Sequence, residues 1–129
     1  MKNNSFGKSF WFDLPATDME DARSFYEGLF DWKFLKLSDA ALDDYWAIQA
    51  GDELIGGLRK FPPEKRGQAT PVIYFTVDDL EKYSNRVKEL GGVLVGQTVK
   101  LGKNSGSYQW FRDREENLVA LWAPQKESV

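Results

Sequence analysis

Phe12-Asp13-Leu14-Pro15-Ala16-Thr17-Asp18 can be laid without gaps on Ile73-Tyr74-Phe75-Thr76-Val77-Asp78-Asp79, and this internal repeat decides the fold. The two stretches are 61 residues apart, as Asp18 is from Asp79. Each opens in a short run of aromatic and β-branched residues, Phe10 to Leu14 and Val72 to Val77, which predicts a strand. Each run then meets a helix start. Thr17 and Glu20 have capping-box spacing, in which the hydroxyl accepts from a free backbone N–H and the carboxylate reaches back; Asp78 and Glu81 imitate it. Met19, Ala22, Tyr26 and Leu29 in the first copy, and Leu80, Tyr83, Val87 and Leu90 in the second, make one apolar stripe apiece at helical spacing. The first helix is expected to end near Phe30-Asp31 and the second at Gly91-Gly92, where a residue without Cβ closes a helix at no steric cost.

Three strands follow each helix. In the first copy they are expected around Trp32 to Leu37, Tyr45 to Ala50 and Leu54 to Lys60, and in the second around Val93 to Val99, Tyr108 to Arg112 and Leu118 to Ala123. Each copy is thus a βαβββ module. Phe61 to Pro71, with three prolines, suits neither a helix interior nor a central strand and reads as a connector. The expectation is an α+β fold of two tandem βαβββ modules, residues 8–61 and 72–124, whose curved mixed sheets form a cleft. Either half alone is too small for a good core, so residues 1–129 are expected to be one domain.

Composition narrows the chemistry. Hydrophobic residues are 42% and charged residues 29%, as in an ordinary globular protein, while the aromatic share of 15% is high enough to line a cavity. A net charge of −3, with the basic residues Lys60 and Lys65-Arg66 beside prolines and a glycine, disfavours a nucleic-acid partner. No stretch approaches a membrane span, and Met1 to Lys8 lack the apolar run of a signal peptide, so a cytoplasmic protein with no membrane partner is expected. The chain has no cysteine, which excludes disulfides, thiolate nucleophiles and sulfur-ligated metals. It also has no histidine, which removes the commonest metal ligand, the usual proton carrier near neutral pH and any serine triad.

The chain resembles the glyoxalase, bleomycin-resistance and extradiol-dioxygenase superfamily, the vicinal-oxygen-chelate fold, over roughly Phe10 to Pro124. The resemblance is strongest in Leu14-Pro15-Ala16-Thr17-Asp18 leading into Ser24-Phe25-Tyr26 and Leu29-Phe30-Asp31-Trp32, and in Asp113 to Trp122, which looks like that family's D-P-x-G-N strand entry with Glu116 in place of the glycine. In metal-dependent members each module supplies two ligands, one from its first strand and one from its last. Carried over, those positions are Trp11, Gly56, Val72 and Ala120, when Leu54-Ile55 is laid on Leu118-Val119. None ligates a divalent ion through its side chain, and a slip of one residue, to Phe12, Gly57, Ile73 and Leu121, does not restore a site. No metal and no cofactor is therefore expected.

Strand alternation lists the residues sharing the face of those positions: Trp11, Asp13, Leu54, Gly56, Leu58, Val72, Tyr74, Thr76, Leu118, Ala120 and Trp122. This mainly apolar surface, with a carboxylate, a phenol and a hydroxyl, suits a small, partly hydrophobic molecule. Trp11 and Trp122 equally suit filling the space themselves. Asp13, beside Trp11 and Phe12, is costly to desolvate unless bonded or paired: it is either a functional carboxylate, binding a cation or acting as a base, or a structural one that is held by Tyr74, Thr76 or an arginine or lies in a subunit interface. Gly102 to Ser107 lacks phosphate-loop spacing and reads as a mobile loop at the cleft mouth; Gly56-Gly57 reads as close backbone packing. The leading expectation is a metal-independent small-molecule-binding protein, acting as a homodimer. An enzyme of altered mechanism using Asp13 and Tyr74, and an interaction module with a collapsed cleft, are the alternatives. Glyoxalase chemistry itself is not expected, since in the resembling enzymes a bound metal stabilises the enediolate.

Overall fold

The computed structural model describes residues 7–36, 44–102 and 105–125. Its elements run β1 (Ser9–Ala16), α1 (Met19–Phe30), β2 (Lys33–Lys36), β3 (Tyr45–Ala50), β4 (Glu53–Lys60), β5 (Val72–Thr76), α2 (Leu80–Glu89), β6 (Val93–Lys100), β7 (Ser107–Arg112) and β8 (Leu118–Ala123). This is βαβββ twice, as the repeat predicts. The connector carries one 3-10 turn, Pro63–Lys65. The chain divides into two compact units, Trp11–Val72 and Ile73–Val129 with the amino-terminal segment through Phe10. Gly7 and Lys8 bond with Thr76 along β5 inside the second unit.

Within the first unit the strands lie in the order β2-β3-β4-β1, with β1 parallel to β4 and the other pairs antiparallel. The second unit repeats this as β6-β7-β8-β5, with β5 parallel to β8. Each helix covers one face of its own sheet. Under α1, Met19, Ala16 and Leu58 are buried with Leu14, Ala22, Phe34 and Trp46 around them; under α2, Val77, Leu121 and Ala123 are packed by Leu80, Tyr83, Val87 and Phe111. The last residue of each predicted stripe departs from it: Leu29 and Leu90 are exposed. No helix among the described residues is long and apolar enough to cross a membrane.

Both helix starts fall one residue later than the spacing predicts. Asp18 accepts from the backbone N–H of Asp21 at 3.0 Å, and Asp79 from that of Lys82 at 3.1 Å. In the first module an ionised carboxylate displaces the Thr17 hydroxyl as the cap, since negative charge gains more at a helix amino terminus. The helix ends are where they were expected, with Asp31 in the left-handed region (φ 60°) as the cap of α1 and Gly91 (φ 96°) just beyond α2.

The turn between β7 and β8 is held by Asp113, whose carboxylate accepts from the backbone N–H groups of Glu115 and Asn117 and from the Asn117 amide. Those bonds, the Asn117 side chain first, hold its pKa below the ordinary carboxylate value. The help it gives the turn is thus complete above the ordinary carboxylate pKa and is lost as pH falls through the lowered one. Glu116 sits at φ 65°, a conformation that favours glycine, at the position where the family's strand entry has one. Glu116→Gly is expected to stabilise the chain by about 1 kcal/mol, read as a higher midpoint in thermal or urea unfolding.

Candidate functional site

In β1 the side chains of Leu14 and Ala16 point under α1, so alternation places Trp11 and Asp13 on the opposite face. Asp13 is 3% exposed. A carboxylate so buried needs partners, and β3 and β4 supply them. The Tyr45 hydroxyl donates to Asp13 Oδ1 at 2.6 Å, and the Arg59 guanidinium bonds Oδ2 at 3.2 Å. Trp11 Nε1 in turn donates to the Tyr45 hydroxyl at 2.8 Å. The Arg59 guanidinium carbon also lies 5.1 Å from the centre of the Tyr45 ring, within cation–π range. Tyr45 is thereby fixed from three sides.

Tyr45 stands on β3 and Asp13 on β1, with β4 between them. The phenol crosses that middle strand directly over Gly57, where an added Cβ would overlap its ring and hydroxyl. Glycine at 57 is what opens the path. Gly56 has a different reason: its missing Cβ would meet the carbonyl oxygen of Phe12 on the neighbouring strand. The close-packing expectation for both glycines therefore matches the geometry, through one side chain and one backbone group.

The placement of β4 differs from the sequence expectation. Ile48 of β3 pairs with Gly56, yet the next residue, Gln49, pairs with Leu54, so Ile55 is an extra, bulged residue. The equivalent stretch of β7 and β8 is regular, with Phe111 opposite Val119 and Arg112 opposite Leu118. Before the bulge Leu54 matches Leu118, 64 residues on; after it Gly57 matches Ala120, 63 residues on. Leu58, expected beside Trp11 and Asp13, accordingly packs under α1 at 1% exposure, and Gly56 shares its side of the strand. Gly57 and Arg59 take the face that holds Asp13. The four positions the resemblance assigns to metal ligands become Trp11, Gly57, Val72 and Ala120, still without a ligating atom among their side chains. Among the described residues no group of three or more His, Cys, Asp or Glu lies close enough to hold a metal ion.

In the second module the expected residues stay together. Tyr74 pairs with Ala120 and Thr76 with Trp122. Val72 opens β5 on the side of Tyr74, away from Val77, Leu121 and Ala123 under α2. Tyr108 and Trp110 of β7 pair with Trp122 and Ala120 and join that face. Trp110 Nε1 donates to the Tyr74 hydroxyl at 3.1 Å, and Tyr108 meets Tyr74 edge to face with centroids 5.6 Å apart. Trp122 packs against Phe10 and donates to the carbonyl of Ser105, which ties down one side of the Gly102 to Ser107 segment. Lys103 and Asn104 of that segment lie outside the described residues. Open grooves of about 560 and 330 Å³ lie beside α2 and α1 and are lined by none of the candidate residues.

Sequence reasoning missed Tyr45, Arg59, Tyr108 and Trp110. The arginine invoked for Asp13 is Arg59, and the only signal for it was the glycine pair, since glycine inside a strand often marks a bulge.

Comparison with known proteins agrees with this architecture. The chain is 28% identical over 129 residues to the anthracycline biosynthesis protein DnrV of Streptomyces peucetius, covering 90% of this chain and 46% of the relative. The chain thus spans about half the length of that relative. A glyoxylase-like domain-containing protein of Didymella fabae is 28% identical over 117 residues, covering 84% of this chain and 88% of that one. The methylmalonyl-CoA epimerase structure from Mycobacterium tuberculosis superposes with a TM-score of 0.68 at 13% identity over 98% of this chain and 93% of the other, a likeness of fold. The family description Glyoxalase/Bleomycin resistance protein/Dioxygenase superfamily matches residues 8–121, and with the duplicated βαβββ modules this means that the chain belongs to that superfamily.

Proposed function

We propose that the chain binds a small organic molecule without a metal ion. The observation that carries this reading is the donor set. An indole, a hydrogen, an isopropyl and a methyl group stand at the four positions Trp11, Gly57, Val72 and Ala120, and within the first unit both oxygens of the Asp13 carboxylate are engaged by Tyr45 and Arg59. Such side chains do not fit a divalent ion, whose binding needs several oxygen or nitrogen ligands. The rings and fixed polar groups that each unit holds suit a partly hydrophobic ligand. Similarity to a protein named for anthracycline biosynthesis is in keeping with an organic ligand. The test is a ligand panel read by thermal shift in the presence of EDTA. At least one stabilising compound is expected, by an increment that grows with its concentration; a panel that stabilises only after divalent ions are restored would sink the reading.

A second reading, an enzyme of altered, non-metal mechanism, is favoured by the 2.6 Å bond from the Tyr45 hydroxyl to the Asp13 carboxylate, a pairing of the residue types that general acid–base catalysis uses. Turnover that disappears in both Asp13→Asn and Tyr45→Phe while folding persists would select it.

The bound state is read as a homodimer. Phe25, Leu29 and Phe30 on α1 are 63%, 55% and 53% exposed, an apolar face whose covering by a second copy would remove it from water. Light scattering is expected to give the mass of two chains, falling to one in Phe25→Lys/Phe30→Lys; a wild-type mass of one chain would refute it.

A further inference from the structure

We propose that the groove of about 560 Å³ beside α2 is a second binding site, for a short aliphatic polyamine. It lies wholly in the second unit and goes beyond the ligand-binding reading, since none of its lining residues belongs to the face that reading uses. The duplication accounts for the groove. Gln109 opposes Leu121 as Trp46 opposes Leu58, and Leu94 opposes Phe111 as Phe34 opposes Ile48. Ser84 stands 61 residues after Arg23 on the matching helix. In the first module these three places hold large side chains: Phe34 and Trp46 pack beneath α1, and the Arg23 guanidinium carbon sits 5.8 Å from the centre of the Trp46 ring. In the second they hold Leu94, Gln109 and Ser84, and all three line the groove.

The floor is preformed. Val95 pairs with Trp110 and Val99 with Tyr108, so Gly96, Gln97 and Thr98 of β6 bulge opposite Gln109 alone. The Gln109 side chain, 3% exposed, holds that bulge: its amide donates to the carbonyls of Val95, Gly96 and Trp110, and its oxygen accepts from the Thr98 hydroxyl. Ser84 differs. It is 8% exposed, and its Oγ has no hydrogen-bond partner. A buried hydroxyl left in that state costs free energy that a bound donor offsets, and one rotamer step re-aims it. The start of α2 sets the charge. Among the described lining residues the carboxylates of Asp78, Asp79 and Glu81 stand against the ammonium of Lys100, which favours a positive guest. These carboxylates do not converge, since among the described residues no group of three or more lies close enough to hold a metal ion. Spread along a groove, they suit charge spread along a flexible chain rather than the point charge of a metal.

Calorimetric titration of the full chain with spermidine is expected to show one saturable site per chain, which magnesium chloride at equal ionic strength leaves in place. Asp78→Asn/Glu81→Gln is expected to weaken spermidine about tenfold, the loss of two exposed charge pairs. Glu64→Gln removes a carboxylate from the connector and is expected to change nothing, which separates the groove from general attraction to an acidic chain. Ser84→Arg installs the first module's residue and is expected to abolish binding. Circular dichroism checks folding, and if Ser84→Arg unfolds the double variant decides alone. Absence of a saturable site, displacement by magnesium, or equal affinity in wild type and Asp78→Asn/Glu81→Gln would overturn the proposal. None of these outcomes alters the ligand-panel result, so the ligand-binding reading stands or falls separately.

Discussion

Asp13→Ala is expected to destabilise the chain by about 2–4 kcal/mol, the largest loss of any substitution at the candidate site. The carboxylate is 3% exposed and accepts from both the Tyr45 hydroxyl and the Arg59 guanidinium. Removing it takes a hydrogen-bond acceptor from the Tyr45 phenol and a carboxylate from beside the Arg59 guanidinium. Arg59 retains 30% side-chain exposure and can recover some hydration, which holds the loss below that of a fully dry pair. Asp13→Asn keeps an oxygen for Tyr45 but loses the charge and turns an amide N–H donor toward Arg59 in place of Oδ2, so a cost below that of Asp13→Ala, about 1–3 kcal/mol, is expected. Urea unfolding of the three proteins checks the order. Ligand binding in Asp13→Asn separates the roles: lower stability with unchanged affinity would make Asp13 a scaffold for Tyr45 and Arg59, and weakened affinity would make it part of the binding surface.

Gly57→Ala is expected to cost about 2–3 kcal/mol, although it adds a single methyl group. That methyl falls where the Tyr45 ring and hydroxyl cross β4, so the phenol must lift away and release Asp13. Because β4 lies inside the sheet, with β3 on one side and β1 on the other, the backbone has little freedom to yield instead. A double-mutant cycle isolates this cause. With Tyr45→Ala already in place, Gly57→Ala should cost well under half as much, whereas an undiminished cost would locate the strain in the backbone.

The fold was legible because its determinants are local and occur twice. Strand runs, capping carboxylates and apolar stripes repeat at a constant spacing of 61 residues through Asp18 and Asp79, and so check one another. The one-residue displacement of both caps left the helices unchanged, since Asp18 and Asp79 perform the role given to Thr17 and Asp78. The site was less legible because it depends on which side chains share a face. A single extra residue, Ile55, reverses that assignment for the rest of β4. This is why Leu58 was expected beside Trp11 and Arg59 was not. Strand β8 has no bulge, and there Tyr74, Thr76, Ala120 and Trp122 stand together as alternation predicts. Tyr45 escaped notice for another reason: a phenol reaching two strands away over a glycine is a long-range contact that no local pattern encodes.

Metal-free binding is the central claim, and its most direct test is elemental analysis by plasma mass spectrometry of the full chain purified without chelators and passed through gel filtration. The donor set at Trp11, Gly57, Val72 and Ala120 predicts divalent metal far below one ion per chain, with any trace removed by brief EDTA treatment at no cost to the unfolding midpoint. One tightly held ion per chain, whose removal lowers that midpoint, would contradict it.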